Sequence, residues 1–270
     1  MWGLIPAAGA GSRIQPLAFS KELLPVGSRI EDGIERPCAV CEYLLDRMIF
    51  AGADKICFII GPGKSDIIHY FGGSYGATPI TYVVQQKPAG LCHALFCSAP
   101  FIDPRETVLI GLPDTVWMPR GGYSELAGDQ PSLLLFPVEQ PALFDSVIHD
   151  AHGRVQRIDV KVAEPETHWI WGGIKLKGSD LHDLKGLWQT RLEQDEYLGT
   201  LLNAWMATGR VIKAVPAGTH YVDVGTFEGY RSAITLLCGV DGLAAQFAMV
   251  PPPASHLQTF RTVTPSEEII

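Results

Sequence analysis

Short apolar runs, many of them β-branched, alternate along the chain with segments whose apolar positions recur every third or fourth residue. The short runs predict strands at residues 2–7, 55–60, 80–84, 107–110, 133–138, 155–159, 169–176 and 211–215. The amphipathic segments predict helices at residues 38–51, 65–71, 92–98, 181–188 and 198–208. Strand–helix–strand repetition through the first half predicts a mostly parallel sheet with helices on both faces, an α/β fold. The second half breaks this rhythm. In "HDAHGRVQRIDV", Asp150-Ala-His-Gly153 is a turn between two apolar stretches, so an antiparallel hairpin is inserted there. From about Gly239 the chain carries "VPPPAS" and a polar end, which reads as a packed last helix followed by a loose tail. No internal repeat or low-complexity block interrupts the pattern.

At 270 residues, the chain can bury a sizeable core. Its net charge of -8 argues against a general binder of nucleic acid or acidic membranes, which depends on excess Lys and Arg, while leaving room for a local basic pocket. No apolar run has the length of a membrane span, and no basic leader precedes the first apolar stretch. The six cysteines are scattered, and Cys38-x-x-Cys41 has no second Cys-x-x-Cys and no His pair to complete a zinc site. Buried reduced thiols and the missing leader point to the cytoplasm.

The chemistry is concentrated at the start. The first predicted strand runs into "PAAGAGSR", and Lys21 follows in "KELLPV". A dinucleotide fingerprint requires a third glycine where Ile14 stands, with an acidic residue closing a second strand. A Walker loop ends in Gly-Lys-Ser/Thr, and the single "GKS", Gly63-Lys64-Ser65, has Phe58 where its first glycine belongs. "GPGKSD" therefore reads as a turn and a helix cap. The third reading is an anion loop. Its small residues Ala8, Gly9, Gly11 and Ser12 expose backbone N–H groups, Arg13 supplies a planar fork of donors, and Lys21 supplies a mobile point charge. Composition alone does not separate that loop from a pair of solvated cations.

"LIPAAGAGSRIQPLAFSKELLPV" resembles the N-terminal signature of the sugar-phosphate nucleotidylyltransferases, the family of glucose-1-phosphate thymidylyltransferase and UTP–glucose-1-phosphate uridylyltransferase. The likeness extends to about Ser232 and implies a Rossmann-like nucleotidyltransferase domain over residues 1–238, with a C-terminal tail at 239–270. Through this resemblance "QQKPAGL" becomes a base-reading segment, with Gln85 on the pyrimidine edge and Gly90 allowing close backbone approach. "GLPDTVW" places a metal carboxylate at Asp114, where the bare residues would also suit a turn, and "YVDVGT" places a second at Asp223. "RIDVKV" aligns with the family's E-K-P strand and gives Lys161 as the contact to the sugar phosphate; "WGGIKL" aligns Gly173 with the next strand's glycine.

Three departures concern the sugar and the loop. Val160 replaces the glutamate that touches sugar hydroxyls in the glucose enzymes, and strand alternation points the neighbouring Asp159 to the other face. Ser146 replaces a glycine of the sugar site, and the loop from Arg13 to Lys21 is shorter than the thymidylyltransferase pattern. The implied reaction joins dTTP or UTP to a sugar 1-phosphate, with Mg²⁺ as cofactor, giving a nucleotide sugar and pyrophosphate. A homo-oligomer is compatible with the sequence. Two rivals are a non-catalytic regulatory relative, expected to have lost Arg13, Lys21 or a metal aspartate, and a glycosyltransferase, expected to carry an Asp-x-Asp motif that "GLPDTVW" lacks.

Overall fold

The structure is a computed structural model and describes residues 1–126 and 128–238. The tail expected at 239–270 lies outside the described residues. In chain order the strands are β1 (Trp2–Ala7), β2 (Pro25–Glu31), β3 (Ile34–Ala39), β4 (Lys55–Ile60), β5 (Ser74–Tyr75), β6 (Thr78–Val84), β7 (Thr107–Gly111), β8 (Thr115–Met118), β9 (Ser132–Pro137), β10 (Asp145–His149), β11 (Val155–Val160), β12 (Trp169–Lys177), β13 (Lys213–Val215) and β14 (His220–Asp223). The α-helices are α1 (Val40–Phe50), α2 (Ser65–Phe71), α3 (Gly90–Ser98), α4 (Gly178–Thr190), α5 (Leu198–Ala207) and α6 (Phe227–Cys238).

The centre of the main sheet is parallel: β7, β1, β4 and β6 lie side by side in that order. Each is an apolar run too short for a helix; β6 alternates buried and exposed residues, while β1, β4 and β7 are buried on both faces, as parallel strands under crossover helices are. Alternate residues of β1 show this: Leu4 enters the core beneath α3, α4 and α5, while Ile5 enters the core beneath α1 and α2. Chain order reverses between β1 and β7. The sheet's topological switch point lies there, where the loops after two adjacent strands diverge and open a crevice. Past β7 the sheet is antiparallel except where β13 joins β9 in parallel: β12 pairs with β7 and β9, and β10–β11 form the hairpin expected around Asp150–Gly153. Among the described residues, no helix is long and apolar enough to cross a membrane.

Several boundaries differ from the periodic reading for identifiable reasons. Cys38 and Ala39 belong to β3 and not to the first helix, because they pair with Gly27 and Pro25. The stretch before Lys213 is not strand, since only Lys213–Val215 reaches β9. The hairpin β2–β3 and the two-stranded sheet β8–β14 were not anticipated. The first covers a third core cluster together with α6.

Candidate active site

The carboxyl ends of the four parallel strands all open on one edge of the sheet. Loop 8–13 leaves β1, Gly61–Lys64 leaves β4, Gln85 follows β6, and Asp114 follows β7. They border a cleft of about 560 Å³ lined by Ala8, Ala10, Lys21, Gly61 and Gln85, among others. A second cavity of about 190 Å³ is lined by Arg13, Asp114, Lys161 and Asp223.

Lys21 and Asp114 join the two spaces through an ion pair between Nζ and Oδ2. Both are largely buried. Burial alone would lower the Lys21 ammonium, but Asp114, Glu22 and Asp223 outweigh it and hold the group above its ordinary value. The stem of Lys21 lies against Gly11, which adopts φ +67°; a β-carbon there would come within 2.8 Å of Lys21 Cδ. Gly11 is therefore required both by its dihedral and by the lysine beside it.

Asp223 arrives from far along the chain. Its strand β14 pairs with β8 in a register that sets Asp223 opposite Thr115, and Val224 donates its N–H to the Asp114 carbonyl. Asp223 forms an ion pair with Arg13 Nη1 at 3.0 Å and accepts from the Gly225 N–H at 2.7 Å. The convergence is measured at Gly225. A β-carbon built there would lie 2.8 Å from Asp223 Oδ1, 3.0 Å from Asp114 Oδ2 and 3.1 Å from Arg13 Nη2. Two carboxylates and two cations thus form a neutral set at the switch point. The carboxylates are hard oxygen donors, and no group of three or more His, Cys, Asp or Glu placed to hold a metal ion exists among the described residues. A Mg²⁺ ion fits this donor set, because it is commonly held by one or two carboxylates with substrate phosphates and water completing its octahedron.

Gln85 is held from two sides. Its Nε2 donates to the Gly90 carbonyl at 3.2 Å and lies 2.8 Å from His93 Nδ1. A carbonyl only accepts, so Gly90 orients the amide, and the remaining N–H falls to an unprotonated His93 Nδ1. Both donors are engaged, leaving Oε1 as the part of the amide available to a ligand. Gly90 opens α3 with φ +81°, and a β-carbon built there would lie 2.8 Å from the Glu196 carbonyl oxygen.

Lys161 lines the second cavity, with Nζ 5.3 Å from the centre of the Tyr197 ring. Three expected sugar-site residues do not line it. Ser146 is fully buried on the opposite face of β10, beside Ile170 and Asp159. Gly173 is buried in β12, where it makes room for the Tyr123 ring. Val160 packs with Ile158 against Gly199 of α5. Sequence reasoning passed over Asp145, Trp171, Tyr197 and Tyr221, which do line this cavity. Only the lone carboxylate in "LFDSV" gave a local signal. Gly9 and Ser12 are exposed in the loop leading to Arg13. Lys64 of "GPGKSD" borders the larger cleft and is tied to the buried Glu22 carboxylate at 2.7 and 2.8 Å. The turn is there, but α2 begins without a side-chain cap.

Fold and site together define a nucleotide-transferring α/β protein. The nucleotidyl transferase family model matches residues 2–238, and the chain belongs to that family. Its relatives place it among the sugar-phosphate nucleotidylyltransferase enzymes. The glucose-1-phosphate thymidylyltransferase of Mycolicibacterium smegmatis is 24% identical over 245 residues, covering 86% of this chain and 81% of that protein. The UTP–glucose-1-phosphate uridylyltransferase AglF of Haloferax volcanii is 24% identical over 234 residues, covering 83% of this chain and 91% of that one. The solved UDP-glucose pyrophosphorylase of Acinetobacter baumannii shares the fold, with TM-score 0.71 at 18% identity over 91% of this chain and 96% of its own.

Proposed function

We propose that the protein condenses a uracil or thymine nucleoside triphosphate with a sugar 1-phosphate, releasing pyrophosphate and a nucleotide sugar. The observation that carries this reading is the meeting of Arg13, Lys21, Asp114 and Asp223 where the larger cleft joins the Lys161 cavity. One space suits the nucleotide and the other the second phosphate, with the charged set between them.

An oxygen of the sugar phosphate forms a bond to the α-phosphorus as the bond from that phosphorus to the bridging oxygen breaks, and pyrophosphate departs with the electron pair. A phosphate monoester is largely ionised at neutral pH, its second pKa being about 6, so no general base is needed. What the chain must supply is position and charge. Lys161 holds the attacking phosphate. Arg13 and Lys21 leave their carboxylate partners for the triphosphate and the departing pyrophosphate. Gln85 Oε1 accepts the N3–H that uracil and thymine share. Asp114 and Asp223 would hold Mg²⁺, which when bound screens the two polyanions from one another. Retention of all four charged residues also disfavours a purely regulatory relative.

A matrix of nucleoside triphosphates against hexose 1-phosphates, read as pyrophosphate released, tests the proposal. Release that requires both substrates and is confined to dTTP or UTP is expected. No release with any pair, or release without a sugar phosphate, would overturn it.

A further inference from the structure

Asp145 is the unexplained group in the smaller cavity. It starts β10 directly opposite Val160 of β11, and its side chain lines the space that holds Lys161. Its Oδ1 is buried with no hydrogen-bond partner, and so is the indole Nε1 of Trp171, which lines the same cavity. Burial pushes the Asp145 carboxyl above its ordinary value. The Trp171 N–H and the Lys161 charge favour ionisation but do not outweigh it. The indole therefore acts on the carboxylate through space without completing a hydrogen bond to Oδ1. A carboxylate oxygen buried without a committed donor costs stability, and a donor on a ligand in the adjoining cavity would offset that cost.

The neighbours narrow what that ligand group is. The cavity already holds Arg13 and Lys161 as cations, so a phosphate has partners and a further anion would be repelled by Asp145. On a sugar 1-phosphate anchored at Lys161, the group that donates to a carboxylate while also accepting from an indole N–H is a hydroxyl, which does both. Val160, which packs against Gly199 outside this cavity, offers neither.

Building on the function proposed above, we propose that Asp145 is the residue that reads the sugar. Its carboxylate accepts a hydrogen bond from a ring hydroxyl of the hexose 1-phosphate, and the oxygen of that hydroxyl accepts from the Trp171 N–H. Selectivity for sugars then comes from β10 and not from residue 160.

The test compares wild type, Asp145→Asn and Asp145→Ala on glucose, galactose and mannose 1-phosphates and their monodeoxy analogues, with glucosamine 1-phosphate included. Pyrophosphate release and melting temperature are followed together. Wild type should disfavour at least one deoxy analogue of its preferred hexose at least tenfold in kcat/KM. Both variants should lose at least tenfold on the parent hexose through the sugar KM, with the triphosphate KM unchanged. They should use that deoxy analogue about as well as wild type does. Asp145→Asn should melt no lower than wild type. Equal losses on every sugar phosphate would make Asp145 a counter-ion of Lys161 and overturn the inference, as would an unchanged sugar KM or a wild-type preference for the amino sugar that the variants abolish. In each of these cases pyrophosphate release by wild type leaves the proposed reaction standing. A wild type inactive with every pair overturns both.

Discussion

At Arg13 the guanidinium is more than half exposed and is ion-paired with Asp223. Losing it costs the fold little, because exposed pairs contribute about 0–1 kcal/mol. Losing it during the reaction removes a preorganised donor from a forming charge, and such donors are worth about 100- to 1,000-fold in turnover. Arg13→Ala is therefore expected to lower kcat by at least about 100-fold with an unchanged melting temperature, which steady-state kinetics and thermal unfolding check together. Gln85 calls for a different measurement. Its two N–H donors are taken by Gly90 and His93, so in the proposed role it would offer the base an acceptor. Cytosine presents an acceptor at the same position, and two acceptors repel. Wild type should reject CTP against UTP, and Gln85→Ala should raise the UTP KM by roughly tenfold, about 1–3 kcal/mol, while narrowing that discrimination. An undiminished preference for UTP in the variant would remove Gln85 from base reading. Residue types at this scale were visible in the sequence, but their orientation was not. Nothing local says that an amide eight residues before a histidine has its donors already engaged.

Among the elements, the turn after β4 supports the loop that carries Lys21. Lys64 reaches back to Glu22, whose carboxylate is buried beside it. Burial holds Glu22 above the ordinary carboxyl value, and Lys64 lowers it without overcoming burial. An acid whose folded-state pKa is raised binds its proton more tightly folded than unfolded. Its contribution is most favourable below the ordinary value of 4.5 and is lost as pH rises through the folded-state value. Lys64→Met removes the compensating cation and raises Glu22 further. The variant should be destabilised by about 3–5 kcal/mol near neutral pH, the usual penalty for an abandoned buried charge, and by less near pH 4.5. Urea unfolding at the two pH values measures this, and a pH-independent deficit would show that Glu22 is not the cause. Elements with a strong local period were legible: β1, β4 and α2 match their sequence boundaries residue for residue. The hairpin β2–β3 carried a signal that went unread, Asp32-Gly33, whose φ values of +51° and +75° form its turn. Strands β8 and β14 carried none, because each is a four-residue piece that exists only through its partner.

For the whole molecule, the proposed reaction requires an acidic chain to collect two polyanions at one cationic point. Without substrate the cations are neutralised by Asp114 and Asp223, so nucleotide binding requires an exchange of partners. A ligand that binds only the folded state stabilises it by about 2.7 kcal/mol at one hundred times its Kd. Mg²⁺ with UTP or dTTP should therefore raise the melting temperature by several degrees. Asp114→Asn and Asp223→Asn should each stay folded, lose most activity and lose the Mg²⁺-dependent part of that shift. A full shift in either variant would show that the residue does not hold the ion.

The sequence by itself determined what depends on near neighbours. Strand and helix periods, the small-residue loop before Arg13, the lysine after it and the turn at Asp150–Gly153 are all set within a few positions, where backbone sterics and side-chain alternation act. Tertiary structure alone decided which distant residues share a space. Asp223 meets Asp114 because β14 lies on β8, and Asp145 rather than Ser146 faces the Lys161 cavity because of the hairpin's register. The physical reason is common to both. A strand's two faces are chemically equivalent until long-range pairing fixes the register, and a shift of one residue turns every side chain to the other side.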